Sequence, residues 1–230
     1  MFCVRKMLFS EKLNVPSHIK LFDTCVKPIL LYCSEVWGLK SIIKANQSLE
    51  SKYKDFLPNK LQIKNAKFIL GVSKKASNMA VLGELGLFPL AISAIKLTIG
   101  FWDHLIKLDE NSAYEANLLL KDSFCDLLKC LMSKLGFSHI WENQGTFSIN
   151  RLISSINKKL EEQYIQFWKL SLFDDSSNPN GNKLRPYRKL KLDYKIETYL
   201  LANNDKSYTA SFTKIRISNS NLKIEEGRYN

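Results

Sequence analysis

No pair of cysteines in these 230 residues is spaced for a zinc ribbon or a redox dithiol: Cys3, Cys25, Cys33, Cys125 and Cys130 form no Cys-x-x-Cys and leave one thiol over. That pattern fits a reducing, intracellular setting, nucleus or cytoplasm, and a chain with no metal or other cofactor. Histidine is equally sparse, and His104 has no second histidine three or four residues away with which to share a metal. Long apolar runs are missing too. The longest, residues 88–102, is interrupted by Lys96 and falls short of the roughly 20 residues a bilayer span needs. The first ten residues hold no apolar stretch long enough for a secretory signal, so no membrane partner is expected.

What is present in excess is positive charge. The formal net charge is +12, and residues 1–75 hold 14 Lys and Arg against 5 Asp and Glu. The basic character therefore belongs mainly to the front third. A field of that sign attracts phosphate backbones, and it is equally compatible with an ordinary lysine-rich surface facing water.

With 45% apolar residues, the chain can build one sizeable core or two small ones. Apolar periodicity near 3.6 points to an all-α fold, an irregular multi-helix bundle with two helical lobes. The expected division is 1–135 and 148–230, joined by 136–147. A short basic helix is expected over 3–13. Residues 23–38 continue an apolar stripe that includes Ile19, Leu21, Phe22, Val26, Ile29, Leu30, Tyr32, Val36 and Trp37, with a kink or a helix restart at Pro28 and a stop at Gly38. Pro58 opens a helix over 59–70 that ends at Gly71. Residues 89–108 read as a central helix. Ser112 and Glu115 have capping-box spacing for a helix reaching Leu131. The cleanest stripe, from Ile149 through Leu152, Ile156, Leu160 and Tyr164 to Trp168, predicts a long helix. Residues 174–183 are a long loop, followed by Lys183 to Lys195, where basic residues interleave with Leu184, Tyr187, Leu190, Leu192 and Tyr194.

Two features invite a catalytic reading and do not sustain it. Glu84 has no second carboxylate at a helical or hairpin distance, so a structural ion pair or a cap is the better expectation. Asp174 and Asp175 follow an aromatic, as in a paired-aspartate metal turn, yet Ser-Ser-Asn-Pro-Asn-Gly-Asn comes next where an apolar strand is required. Gly83 and Gly86 lack the preceding strand of a phosphate-binding loop and are expected to end a helix.

Three blocks carry a resemblance. Leu21, Phe22, Asp23, Val26, Pro28, Ile29, Leu30, Leu31, Tyr32, Glu35, Val36, Trp37 and Gly38 form the first, and Ile69 to Leu90, with Gly71, Ala76, Ser77, Asn78, Gly83, Glu84, Gly86 and Pro89, the second. Arg216, Ser218, Leu222, Ile224, Glu225, Gly227, Arg228 and Tyr229 form the third. Together they resemble the region downstream of the catalytic palm in reverse transcriptases of non-LTR (LINE-type) retrotransposons, where the first block belongs to the thumb and the last precedes a Cys/His-rich module. Cys33 stands where that family usually has glycine. The resemblance implies a catalytically incomplete part of an RNA-directed DNA polymerase, with no catalytic residues of its own.

It also implies that basic helices hold RNA or an RNA-DNA hybrid by its phosphates, with little sequence preference. The candidates are Lys12, Lys20, Lys27, Lys52, Lys54, Lys60, Lys64, Lys67, Lys74 and Lys75, joined by Arg185, Arg188, Lys189 and Lys191, where cations alternate with aromatic and aliphatic side chains. The rival reading is a non-enzymatic helical interaction or scaffold protein, or a decayed element, without nucleic-acid binding.

Overall fold

Segments with helical periodicity satisfy their backbone hydrogen bonds locally, and in the computed structural model of the chain every regular element among the described residues is helical. The structure describes residues 13–43, 48–49, 53–107, 124–143, 148–174, 184–202 and 205–219. The helix expected over 3–13 lies outside them apart from Leu13, as do the capping pair Ser112 and Glu115, Asp175, and the third block beyond Asn219.

In chain order the elements are α1 (Val15–Leu21), a π turn (Phe22–Val26), α2 (Lys27–Leu30), α3 (Ser34–Ile42), α4 (Leu57–Ile69), α5 (Asn78–Leu85) and α6 (Leu90–Lys107). They are followed by α7 (Phe124–Lys134), α8 (Ser138–Glu142), α9 (Ile149–Phe173), α10 (Arg185–Leu190), α11 (Thr198–Leu201) and α12 (Lys206–Arg216). Asn14 starts α1, its side-chain oxygen accepting the Ser17 N–H at 2.9 Å.

Around Pro28 the helix restarts, with α2 beginning at Lys27. The turn before it widens to a π turn, with the Lys27 N–H reaching back to the Phe22 carbonyl, which accommodates a residue that has no N–H to offer. The break comes at residues 31–33, where Cys33 adopts φ 53° in the left-handed region. Glycine enters that region without steric cost, so the residue the resembled family usually carries there suits this backbone better than cysteine does. Gly38 does not stop the helix. It lies inside α3, buried against α6, where a Cβ would stand at ordinary contact distance, 3.5 Å, from that of Ala94. The expected stripe is only partly covered: Phe22 is buried, whereas Tyr32 and Val36 face solvent at 77% and 61% exposure.

The chain forms two compact units, and neither is one continuous segment. The spans 1–135 and 148–230 each contribute to both. Leu31–Lys60 and Pro89–Tyr164 make one unit. Its core gathers Leu39 and Ile42 of α3, Ile95, Ile99 and Trp102 of α6, Leu128 and Leu131 of α7, and the stripe Leu152, Ile156, Leu160 and Tyr164 of α9. Trp102 stacks on Trp141 at 5.8 Å, and buried Asn59 accepts the Ala91 N–H at 3.1 Å while donating to the Tyr53 carbonyl. Cys125 packs as a small core residue, and burial raises its thiol pKa.

The other unit comprises residues up to Leu30, Leu61–Phe88 and Ile165 onward. Ala66, Ile69 and Leu70 from α4 and its end, Ala80, Val81 and Leu85 of α5, Trp168 and Leu172 of α9, Tyr187 of α10 and Leu200 of α11 form its core. Gly86 ends α5 at φ 62°, as expected. Gly83, in contrast, is inside α5 and buried, and a Cβ there would meet Trp168 Nε1 at 2.8 Å and the Tyr187 hydroxyl at 2.9 Å. Those two groups are held in place, because the indole donates to the Met79 carbonyl at 3.0 Å and the phenol to the Ala80 carbonyl at 3.2 Å.

Gly83→Ala tests this packing. Alanine favours a helix interior by about 1 kcal/mol, but overpacking a tight core costs about 1–3 kcal/mol, and here the neighbours cannot retreat without losing hydrogen bonds. A net loss of stability is expected in urea unfolding of the full chain. A stabilised variant would contradict the close approach.

Candidate nucleic-acid interface

α4 carries charge on one side only. Lys60, Lys64 and Lys67, at positions i, i+4 and i+7, fall within an arc of roughly 60°, while buried Gln62, Ala66 and Ile69 occupy the opposite side. Gly71, at φ 63°, turns the chain out of the helix, and the loop that follows brings Lys74 back. There the Lys67 ammonium donates to the Lys74 carbonyl at 2.8 Å, and burial of the Lys67 stem lowers its pKa. The same loop is pinned from α12's end: the Ser73 N–H donates to Asn219 Oδ1 at 2.9 Å, and Asn219 Nδ2 donates to Ser73 Oγ at 2.9 Å. Lys206 lies over the Phe68 ring at 5.1 Å. Within this unit, then, Lys64, Lys67, Lys74 and Lys75 sit on a helix face and the loop that continues it, with Lys64, Lys74 and Lys75 exposed. A surface of this kind can neutralise phosphates without reading bases.

The other candidates are distributed as follows. Lys12 and Lys52 lie outside the described residues. Lys20 on α1 is exposed and Lys27 on α2 half-buried. Lys54 and Lys60 are exposed and belong to the unit made of Leu31–Lys60 and Pro89–Tyr164. Arg185 and Lys189 are exposed on α10, and Arg188 lies over the Phe173 ring at 5.1 Å. Lys191 is a correction. The helix expected over the Lys183 to Lys195 stretch stops at Leu190, the backbone at Lys191 is extended, and Lys191 turns inward to 3% exposure, donating to Glu197 and to the Lys195 carbonyl. An ammonium buried to that degree against a carboxylate and a carbonyl is withdrawn from the surface where a phosphate would meet it. Lys206 and Asn219 were missed by sequence reasoning, since nothing local marks a side chain whose partner is more than a hundred residues away.

The expectation for Glu84 holds: it is the hub of a buried ion-pair network. Its carboxylate is 0% exposed. Arg216 donates to Oε1 from Nε and Nη2, each at 3.2 Å, and reaches Glu197 at 3.0 Å, while Glu197 also holds Lys191. The Tyr199 hydroxyl donates to Glu84 Oε2 at 2.8 Å and lies 2.8 Å from Thr213 Oγ1, which donates to the Thr209 carbonyl at 2.7 Å. Desolvation is the largest influence on Glu84 and raises its pKa, against the opposing pull of Tyr199 and Arg216. Burial works to lower the Arg216 pKa, but the two carboxylates outweigh it and hold the guanidinium above its ordinary range.

Phe173 closes the 25-residue helix α9, so Asp174 follows a helix and not a strand, consistent with the refusal of a paired-aspartate turn. Among the described residues no cluster of three or more His, Cys, Asp or Glu side chains is arranged to hold a metal ion. No single helix among them is long and apolar enough to cross a membrane. Comparisons with family models, curated proteins and solved structures find no match to this chain.

Arg216→Met leaves Glu84 buried without its cation, and breaking a buried pair from one side costs about 3–5 kcal/mol. A carboxyl whose folded pKa is raised contributes stability fully below its unfolded value, and that contribution is lost as pH rises through the folded value. Removing Arg216 raises the Glu84 pKa further. The variant should therefore lose more stability at pH 7 than near pH 4.5, measured by urea unfolding at both. An equal loss at both would show that Glu84 does not titrate with folding.

Proposed function

We propose that this chain is a nucleic-acid-binding helical module, corresponding to the thumb and C-terminal region of a retroelement-type reverse transcriptase. It grips RNA or an RNA-DNA hybrid through the basic face of α4 and the loop after it, in a nuclear or cytoplasmic setting. Nucleotide-joining chemistry is assigned to another part of such an enzyme, because metal-dependent polymerisation needs at least two positioned carboxylates, and none of the sequence motifs supplies them.

The observation that carries the reading is the one-sided α4: Lys64 and Lys67 on its outer face, and Lys74 folded back beside Lys67. Cations gathered in this way raise local phosphate affinity more than the same cations dispersed over a surface. The three-block resemblance supplies the identity of the polymer. A second reading, a helical interaction protein with no nucleic-acid role, is favoured by the exposure of Tyr32 and Val36 on and before α3.

Fluorescence-anisotropy titration of the full chain with a labelled RNA-DNA hybrid, repeated across salt concentrations, separates the two. Binding should weaken steeply with salt, and Lys64→Gln, Lys67→Gln, Lys74→Gln and Lys75→Gln together should flatten the log-log slope by about 0.7–0.9 for each phosphate contact removed. Binding that is absent at low salt, or indifferent to salt, would favour the interaction protein.

A further inference from the structure

The loop that displays Lys74 and Lys75 is short of internal support. Within it, the Ala76 N–H donates to the Ser73 carbonyl at 3.1 Å, and the Val72 N–H to the Lys67 carbonyl at 3.1 Å, which closes the end of α4. Among the described residues, two side chains anchor it as well. Lys67 holds the Lys74 carbonyl from below, and Asn219 holds Ser73 from a point 146 residues further along the chain. The second anchor is reciprocal, with the amide of Asn219 both accepting from the Ser73 N–H and donating to the Ser73 hydroxyl, so it fixes the orientation of that residue and not only its distance. Asn219 is itself placed by its own N–H, which donates to the Lys214 carbonyl at 2.8 Å in the last turn of α12. Two positions earlier Ile217 is buried in the core, and Arg216 is tied to Glu84. The Asn219 side chain is therefore delivered to the loop by a helix end that cannot swing freely.

We infer that Asn219 is a positioning residue for the phosphate-binding surface: it sets the Lys74 and Lys75 loop in its outward-facing conformation, so that affinity for a charged polymer depends on a neutral side chain that contacts no phosphate. The inference rests on the function proposed above. Ordering a loop before binding removes part of the entropic cost of association, and a loop released from Ser73 must incur that cost when the ligand arrives.

The test is a double-mutant cycle in the full chain, with anisotropy against the RNA-DNA hybrid as readout. Asn219→Ala should weaken binding about 3- to 10-fold, the loss of one or two hydrogen bonds that organise the loop, while leaving net charge unchanged. In the Lys74→Gln, Lys75→Gln background the same substitution should have an effect of less than about 2-fold, because the side chains it positions are gone. Ser73→Ala removes the hydroxyl bond without touching α12 and should give a smaller loss in the same direction, which keeps the inference testable if Asn219→Ala unfolds. Failure of the unaltered chain to bind hybrid overturns the proposed function. Hybrid binding that Asn219→Ala leaves intact, or weakens equally in both backgrounds, overturns the positioning role alone.

Discussion

The fully buried carboxylate of Glu84 constrains the rest of its unit. A charge taken out of water must find partners there, and the partners come from far along the chain: Tyr199 on α11, Arg216 at the end of α12, and through Arg216 the pair Glu197 and Lys191 between α10 and α11. The backbone joins in, since the Glu197 N–H donates to the Glu84 carbonyl at 3.0 Å and so satisfies an end of α5 that the helix leaves open. An apolar core tolerates small slips of one helix past another. A guanidinium shared between two carboxylates tolerates far less, because each displacement leaves a buried charge uncompensated. The network thus specifies where α12 docks more than it adds to stability, and Gly83, one residue before Glu84, completes the specification by admitting Trp168 and Tyr187 to the helix surface.

What was legible in the sequence and what was not divides along this line. α4, α6 and α9 were readable because each buries one face under local rules: apolar residues at helical spacing, Pro58 near the start of α4, Gly71 at its end. The stripe from Leu152 to Trp168 came through as buried in every fourth position. Misreadings arose where a residue's usual role was overridden by something distant or by geometry the alphabet does not encode. Gly38 suggests a stop, yet the helix continues through it to Ile42. Lys191 belongs by composition to a solvated basic helix, and it is buried because Glu197 lies six residues on, across a turn that periodicity does not reveal. Glu84 could be recognised as a structural ion pair, but nothing local named Arg216.

Two of the blocks that carry the sequence resemblance meet in this network, Glu84 from the second and Arg216 from the third. Their separation of 132 residues would be arbitrary if each block were a local motif. As halves of one buried ion pair they constrain each other: a change at either leaves the other's charge stranded. That is a physical reason for the two motifs to travel together in a chain, whatever the chain binds.

The same helix end has a second consequence for the basic surface. Arg216 faces inward to Glu84, and Asn219, three residues later, faces outward to Ser73. A single turn of chain therefore links a buried charge pair to the exposed loop bearing Lys74 and Lys75. Surface lysines on long side chains are usually too mobile to define a site, and the entropy of holding them is what limits exposed ion pairs. Here the backbone beneath them is held from the interior, so part of that ordering is done on folding. How well that loop is ordered thus depends on how firmly α12 is seated, and its seat is the carboxylate that water does not reach.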